Sequence, residues 1–239
     1  MKNKLKQIVT KEMFNPKLLG LFTNPFYITR KALYKGIYAN RAYFRGRLLD
    51  FGCGQKPYKD LFDVQEYIGM DIEVSGHDHN NEQIDVYYDG KTIPFANNYF
   101  DSVFSSEVFE HVFNLKEILD EIFRVLKPDG SLFVTLPFVW DEHEAPYDFA
   151  RYTSFGTERL LKESGFKIIK IEKSTNYVET VFQLWNAYLY QFVFPRNTFL
   201  KAIMTTVFIA PITILGIILS KILPINKSFY HDNIVVAKK

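Results

Sequence analysis

The stretch that decides the fold is Arg47-Leu48-Leu49-Asp50-Phe51-Gly52-Cys53-Gly54. Its first part is apolar, as in a buried strand, and two glycines follow where that strand ends. Glycine has no Cβ, so a turn of this composition lets the backbone approach a ligand closely before the next helix begins. The stretch therefore predicts a ligand-binding strand and turn of an α/β sheet.

Strand and helix patterns alternate downstream of this turn. A second strand is predicted at residues 67–72, and its acid, Asp71, lies where such sheets bind ribose hydroxyls. Further strands are predicted at residues 84–88, 100–106, 131–137, 165–171 and 233–237, and helices at 115–126 and 157–164. This alternation builds a mostly parallel sheet with helices on both faces. The glycine turn alone also suits a dinucleotide or a structural role.

Length and composition limit the alternatives. The 239 residues suffice for one α/β domain with an appendage. The net charge is only +2, yet residues 1–47 carry eleven Lys or Arg side chains against one acid, Glu12. Such an arm fits a membrane surface, nucleic acid or a solvated helix face. One cysteine excludes an internal disulfide and fits a cytoplasmic protein, and the charged start is unlike a signal peptide.

Six motifs follow one another in a characteristic order. They are Asp50-Phe51-Gly52-Cys53-Gly54, Gly69-Met70-Asp71, Asp89 to Phe95, Tyr99 to Val103, Glu107-Val108-Phe109-Glu110-His111-Val112, and Arg124 to Gly130. In this order they resemble the class I S-adenosylmethionine (SAM) dependent methyltransferases of the type-11 domain group. The resemblance covers residues 46–171, and residues 233–239 look like the last strand of that family.

The resemblance implies SAM as the cofactor and a doubly wound, mostly parallel, seven-stranded Rossmann-like sheet. Asp50, Gly52 and Gly54 would approach the methionine part of SAM, and Asp71 would hold the ribose. The other implied cofactor residues are Cys53, Ile72, Asp89 and Gly90, with Asp89 near the adenine, and Ser106 and Glu107 beside the sulfonium. In one departure, Gln55-Lys56-Pro57-Tyr58 stands where the family often has a further glycine.

A loop dense in titratable and aromatic residues follows the strand predicted at 131–137. Its segment from His143 to Thr153 resembles a His-x-x-Pro-x-Asp-x-x-Arg-Tyr-Thr pattern in methyltransferases associated with bacterial cell-surface glycans. We expect His143 as a general base and Asp148, Arg151 and Tyr152 as acceptor-binding or site-closing residues. Alternatively, Asp148 and Arg151 form a salt bridge that fixes the loop, with Tyr152 packed beneath.

No metal site is expected. His111 follows a glutamate in the family motif, and we interpret it as a packing or orienting residue. The segment His77-Asp78-His79 has too few ligands for a metal site of fixed geometry, so a solvated loop is favoured.

An apolar insertion precedes the last predicted strand. Residues 202–220 contain no charged side chain. This segment is long enough to span a bilayer, and aromatic residues precede it. Pro211 and Gly216 predict a kink or break. We expect a monotopic or re-entrant helical hairpin at a membrane surface. The alternatives are a helix pair that covers the sheet or forms a dimer interface, and a single-span anchor.

These observations predict three segments and one function. The segments are a basic helical arm (1–45), a SAM-dependent methyltransferase domain (46–179 and 231–239) and an aromatic, apolar helical insertion (180–230). The predicted enzyme methylates a small-molecule, glycan or lipid-linked acceptor at the membrane surface. We expect it to be cytoplasmic, and peripheral or monotopic at the inner face of the cell membrane. Alternatives are a non-catalytic SAM-binding sensor or scaffold, and a nucleic-acid methyltransferase, which the apolar insertion opposes.

Overall fold

A computed structural model describes residues 11–73 and 83–239. These residues form two compact units, one of residues 11–36 and 173–231 and the other of residues 37–172 and 232–239. The segment His77-Asp78-His79 lies outside the described residues. The unit bounds differ from the predicted segments, because residues 11–36 of the basic arm share a unit with the apolar insertion.

A seven-stranded sheet forms the centre of the unit of residues 37–172 and 232–239. Its strands are β1 Arg47–Phe51, β2 Glu66–Ile72, β3 Val86–Tyr88, β4 Phe100–Ser106, β5 Leu126–Pro137, β6 Lys167–Lys173 and β7 Asp232–Lys238, in the order β3-β2-β1-β4-β5-β7-β6. Strands β1 to β5 pair in parallel, and β7 pairs antiparallel to β5. The predicted doubly wound α/β fold is confirmed.

The core of this sheet explains its sequence pattern. Leu48 and Leu49 of β1 are fully buried because a parallel sheet is covered on both faces. The helix Leu115–Val125 buries one face, including Ile118 and Ile122, and its apolar positions recur at helical spacing. Each fully buried aliphatic side chain contributes about 1.5–3 kcal/mol to stability. This packing holds the carboxyl ends of the strands, and so the ligand-binding edge, in place.

One strand is longer than predicted. Strand β5 begins at Leu126, five residues before the predicted start at Ser131. Leu126 pairs with Phe100 of β4, and the register then shifts before Ser102 pairs with Ser131. The Pro128-Asp129-Gly130 segment is therefore an irregular part of the strand.

The other unit is helical. Its helices are Leu18–Thr23, the first ten residues of Tyr27–Ala39, Tyr177–Tyr188, Thr198–Met204 and Ala210–Ile222. No helix continues across Asn15-Pro16 or Asn24-Pro25, because proline disfavours helical backbone in the residue before it. Gln183 is fully buried; it accepts hydrogen bonds from the Ile28 and Thr29 amides and donates to the Pro25 carbonyl at 3.0 Å. These bonds join the N-terminal helices to the insertion.

Of the kink or break predicted at Pro211 and Gly216, a break is wrong. Residues 198–222 form one continuous helix with a π-helical turn at Thr205–Ile209, directly before Pro211. Proline has no N–H to donate, and a local change in helical hydrogen bonding accommodates it without reversing the chain. Gly216 permits close packing, because a Cβ there would lie 2.7 Å from the Phe182 ring. Residues 194–197 are not helical and separate two helical segments.

The helix of residues 198–222 is apolar on much of its exposed surface. Its mean hydropathy over 18 residues is 2.4, and only 28% of that window is buried. Within the described part of the chain, one helix is therefore long and apolar enough to cross a membrane by length and composition.

Candidate active site

A cavity of about 280 Å³ opens at the carboxyl ends of β1, β2 and β4, where doubly wound sheets bind ligands. Six residues predicted to bind the cofactor line it: Gly52, Gly54, Asp71, Ile72, Gly90 and Glu107. The remaining lining residues are Phe51, Tyr88, Val108, His111, Val112, Phe113, Asn114, Glu144, Tyr147 and Phe149. The cavity thus has a glycine-rich end and an end built from aromatic and titratable side chains.

The glycine turn needs its glycines for two reasons. Gly52 has φ +72°, in the left-handed region, and a Cβ there would overlap the Val108 side chain. Gly54 also has a positive φ, +44°. The amides of Gly52 and Cys53 both donate to the Met70 carbonyl, at 2.9 and 3.1 Å, which fixes the turn against β2. The backbone itself therefore forms this wall of the cavity.

Asp71 ends the buried part of β2 beside this turn. Its carboxylate accepts a hydrogen bond from the Gly54 amide at 2.9 Å, so the acid and the turn hold each other in place. Asp71 is largely buried but lines the cavity together with Ile72. This position suits a carboxylate that accepts hydrogen bonds from a sugar.

Asp50 and Cys53 lie behind the cavity wall rather than on its surface. Both are buried, and the Tyr67 hydroxyl donates to the Asp50 carboxylate. Burial raises the pKa of Asp50 to about 7 although the Tyr67 hydrogen bond lowers it. Burial also raises the pKa of the Cys53 thiol, and the Asp50 charge raises it further. Cys53 is therefore a protonated packing residue and not a nucleophile.

The departure from the family pattern after Gly54 has a structural counterpart. Lys56 has φ +53°, and its ammonium pairs with the Asp85 carboxylate at 2.7 Å. The same carboxylate accepts from the Gly69 amide at 2.7 Å. The Lys56 side chain passes so close over Gly69 that a Cβ there would overlap it. A lysine thus joins the turn to β2 in a way that sequence reasoning did not foresee.

The side chains of two further predicted cofactor residues form hydrogen bonds with nearby protein groups. The Asp89 carboxylate accepts from the Lys91 and Thr92 amides at 2.9 and 2.8 Å, and these bonds lower its pKa. The Ser106 hydroxyl is 2.8 Å from the Thr135 hydroxyl. Neither side chain lines the cavity, whereas the adjacent Gly90 and Glu107 do.

The loop from Trp140 to Thr153 contains the salt bridge between Asp148 and Arg151 that was the alternative to an acceptor-binding role. Arg151 contacts Asp148 through two hydrogen bonds of 2.6 and 2.7 Å and also donates to the Asp141 carbonyl at 2.9 Å. Burial alone would raise the pKa of Asp148, but the hydrogen bonds from Arg151 and the His143 amide lower it to about 2. Tyr152 packs against the core. These three residues do not line the cavity, so they shape the loop around it.

His143 does not line the cavity, but its ring contacts His111, which does. Its Nε2 is 3.1 Å from Nε2 of His111, and the two rings meet nearly edge to face. His111, interpreted from sequence as a packing residue, lines the cavity itself. A base at His143 would therefore act on a ligand through His111.

The cavity residues that sequence reasoning missed are mostly at the acceptor end. Phe113 and Phe149 are exposed and pack edge to face at 5.3 Å between ring centroids, and Tyr147 is near them on the cavity wall. Glu144 also lines this end. The many aromatic residues of the loop from Trp140 to Thr153 indicated Tyr147 and Phe149 but not which rings face the cavity, and Phe113 lies outside that loop.

Comparisons with known proteins place the fold and the cavity in a family. Residues 49–134 match the family described as "Methyltransferase domain". Among solved structures, a SAM dependent methyltransferase from Archaeoglobus fulgidus shares 19% identity and a TM-score of 0.54, over 98% of this chain and 99% of that chain. Phosphoethanolamine N-methyltransferase 2 from Haemonchus contortus, in complex with SAM, has a TM-score of 0.55 at 19% identity, over 96% of this chain and 56% of that chain.

Sequence relatives match over short segments. A ubiquinone biosynthesis O-methyltransferase of Bos taurus is 58% identical over 36 residues, which are 15% of this chain and 10% of the relative. A 24-methylenesterol C-methyltransferase of Arabidopsis thaliana is 48% identical over 50 residues, 21% of this chain and 14% of the relative. This chain therefore matches only a small part of either relative.

The sheet order and the cavity define the fold class, a class I SAM-dependent methyltransferase sheet. The matched residues, 49–134, are 86 of the 239 residues and resemble a methyltransferase domain. The family, enzyme class and cofactor predicted from the sequence are confirmed for this domain.

Proposed function

We propose that the whole chain transfers the methyl group of SAM to a lipid-linked or otherwise apolar acceptor, such as a lipid-linked glycan, at a membrane surface. The observation that carries this proposal is one cavity with two different ends. Gly52, Gly54 and Asp71 form a cofactor end, while Phe113, Tyr147 and Phe149 form an aromatic end. SAM supplies the reactive methyl, and the protein positions the acceptor for in-line displacement.

The acceptor end supports an apolar or sugar-bearing acceptor. Aromatic rings bind both through their faces, and the partly exposed Phe113 and Phe149 lie beside His111 on the wall. The Asp148 to Arg151 ion pair holds the loop that carries Tyr147 and Phe149. The resemblance of this loop to cell-surface glycan methyltransferases points in the same direction. The names of the two sequence relatives refer to ubiquinone biosynthesis and to a methylenesterol.

The apolar insertion supports a membrane location. In the unit that contains it, Phe192, Phe199 and Ile222 each expose more than two thirds of their surface. Apolar area of this kind costs free energy in water and is typical of contact with a membrane or a partner. Cations flank the helix of residues 198–222 at Arg196, Lys201, Lys221 and Lys227. Flanking cations favour the cytoplasmic face, and the basic N-terminal arm adds attraction to anionic lipids.

Radiolabelled SAM tests the reaction. We expect the purified protein to transfer label to the organic-phase fraction of a bacterial membrane extract, and the variant Asp71→Ala to transfer little. Label found only in RNA would contradict a lipid-linked acceptor. SAM binding by calorimetry without transfer to any fraction would favour the sensor or scaffold alternative.

Liposome sedimentation tests the membrane location separately. We expect the intact protein to sediment with vesicles that contain anionic lipid. A Phe199→Ser/Ile203→Ser/Phe208→Ser variant should remain in the supernatant, because these three exposed side chains contribute apolar contact. A matched variant with three serines on the sheet unit and away from the cavity, Tyr87→Ser/Phe155→Ser/Ile169→Ser, is the control and should sediment as the parent protein does. An intact protein that stays soluble and monomeric without lipid would contradict membrane attachment.

A further inference from the structure

Three side chains beside the cavity converge on one point. They are Glu110, His111 and His143, and their potential ligand atoms all lie within 4.8 Å of one another. His111 also lines the cavity. Glu144, another cavity residue, has a carboxylate oxygen 3.9 Å from the His111 Nε2.

The Nδ1 atom of each histidine ring faces oxygen atoms that accept hydrogen bonds. His111 Nδ1 is 2.9 Å from the Tyr147 carbonyl oxygen. His143 Nδ1 is 3.1 Å from the Asp141 carbonyl oxygen and 3.3 Å from the Asp148 carboxylate. Carbonyl and carboxylate oxygens only accept hydrogen bonds, so we assign the ring protons to both Nδ1 atoms.

One contact favours the opposite tautomer of His143. The Arg151 Nη2 lies 3.4 Å from the same Nδ1 and could donate to it. This Nη2 already donates to the Asp141 carbonyl at 2.9 Å and to Asp148 at 2.7 Å, which are shorter contacts. The protonated Nδ1 therefore accounts for more of the close geometry.

With both protons on Nδ1, two lone pairs oppose each other. The Nε2 atoms of His111 and His143 are 3.1 Å apart, a distance at which two bare lone pairs repel. A cation between them removes the repulsion. Ligating histidines commonly donate their other N–H to a carbonyl or carboxylate, which is the arrangement of both rings here.

Glu110 provides the third ligand. It is 1% exposed, and among the described residues neither of its carboxylate oxygens has a hydrogen-bond partner. Its Oε1 lies 3.8 Å from the His111 Nε2. A buried carboxylate without partners costs free energy unless it meets a positive charge.

We propose that Glu110, His111 and His143 bind one divalent transition-metal ion through the carboxylate and the two Nε2 atoms. Two imidazoles and one carboxylate form known Zn²⁺ and Fe²⁺ sites that keep positions open for a substrate. Ligands on a tetrahedral Zn²⁺ with bonds of about 2.0–2.1 Å lie about 3.3 Å apart. The His111–His143 and His111–Glu110 distances of 3.1 and 3.8 Å bracket this separation, and the ligand atoms of Glu110 and His143 lie within 4.8 Å of each other.

The proposal changes the expected role of His143. As a ligand it would not be a free general base, and the ion beside the cavity would polarise an acceptor hydroxyl and ease the loss of its proton. This catalytic use of the ion depends on the proposed function, whereas metal binding does not. The sequence predicted no metal here because the ligands come from two loops separated by about thirty residues.

Metal binding to tag-free, chelator-dialysed protein tests the proposal. We expect one equivalent of Zn²⁺ per chain by calorimetry and elemental analysis, and no binding of Mg²⁺, which prefers oxygen ligands. His143→Ala and Glu110→Gln should each weaken Zn²⁺ binding at least tenfold. Glu142→Gln, an exposed carboxylate on the same loop, is the matched control and should bind as the parent does.

Each outcome also distinguishes the two proposals. SAM affinity measured on the same samples should be unchanged by His143→Ala, because His143 does not line the cavity. Lack of Zn²⁺ binding by protein that binds SAM, or parental Zn²⁺ affinity in His143→Ala, would overturn the metal site and leave a proton shared between the two histidines. Because His143 is partly exposed, its replacement is expected to fold even if Glu110→Gln does not.

Discussion

The two ends of the cavity are built from different parts of the chain. At the cofactor end, backbone atoms of the Gly52 to Gly54 turn and one carboxylate, Asp71, form the wall. At the acceptor end, side chains from two loops form it, among them His111 and Tyr147. A shared cofactor can be held by backbone geometry, whereas acceptor choice depends on loop side chains that vary without changing the fold. Changes in the glycine turn should therefore alter cofactor binding, whereas changes in the loops should alter the choice of acceptor.

The largest effect should come from a side chain in the glycine turn. Gly52→Ala places a Cβ at φ +72° against Val108, so we expect SAM affinity to fall at least 100-fold and stability by about 2–4 kcal/mol. Calorimetry and urea unfolding measure the two effects. Gly156→Ala is the control, because a Cβ there meets only an ordinary contact at 3.5 Å. Equal affinities of the two variants would remove the backbone's role at the cofactor end.

The next effect concerns the carboxylate of the same end. Asp71→Asn should weaken SAM binding about 10- to 100-fold, since a lost hydrogen bond from a charged group is worth about 1.5–3 kcal/mol. Asp89→Asn is the comparison, because the Asp89 carboxylate is occupied by the Lys91 and Thr92 amides. We expect Asp89→Asn to change SAM affinity less than threefold. A larger loss for Asp89 than for Asp71 would reverse the assignment of the ribose end.

A change in the acceptor loop should affect turnover but not cofactor binding. Asp148→Asn breaks the pair with Arg151 and should cost about 2 kcal/mol of stability and lower methyl transfer, with SAM affinity within twofold. Because hydrogen bonds hold the pKa of Asp148 near 2, its stabilisation is complete above pH 4 and lost as the pH falls through 2.

Unfolding at pH 7 and pH 2.5 measures the stability difference between Asp148→Asn and the parent. The difference should shrink at the lower pH. Glu142→Gln, on the same loop, is the control for turnover. A difference that is the same at both pH values would exclude the ionised pair as the source of stability.

The last effect concerns stability alone and lies at Asp50, behind the cofactor wall. Burial raises the pKa of Asp50 to about 7, so the folded protein holds a proton that the unfolded chain releases above about pH 4. Stability of the parent therefore falls as the pH rises from 4 to 7 and then levels off. Relative to the parent, Asp50→Asn should gain at least about 1 kcal/mol between pH 5 and pH 8 in urea unfolding. A constant difference would mean that Asp50 titrates near its ordinary pKa.

Much of the cofactor end was predictable because its signals are local. The Gly52 and Gly54 pattern follows a strand in the chain, and Asp71 ends the neighbouring strand, so strand alternation alone brings them together. Asp89 was placed near the adenine by resemblance, yet its carboxylate caps its own turn. Short-range hydrogen bonding of this kind competes with ligand binding and cannot be read from a motif.

At the acceptor end, the sequence predicted which types of residue are present but not how their side chains are arranged. The titratable loop was recognised, but His111 was interpreted as packing, and Glu110 was not considered. Their meeting with His143 depends on how two loops fold over the sheet edge, across about thirty residues of chain. The break predicted at Pro211 failed for a related reason, because a π-helical turn in the helix absorbed the proline.

The sequence by itself determined the order of strands and helices and the glycine turn, since burial period and backbone freedom are properties of neighbouring residues. Its motifs also carried the resemblance to a methyltransferase domain. Only the tertiary structure decided which side chains face the cavity and which carboxylates accept hydrogen bonds from their own loops. It also decided that the Nε2 atoms of two histidines face each other. Those outcomes depend on long-range packing, which sets the direction of each side chain and which no local pattern encodes.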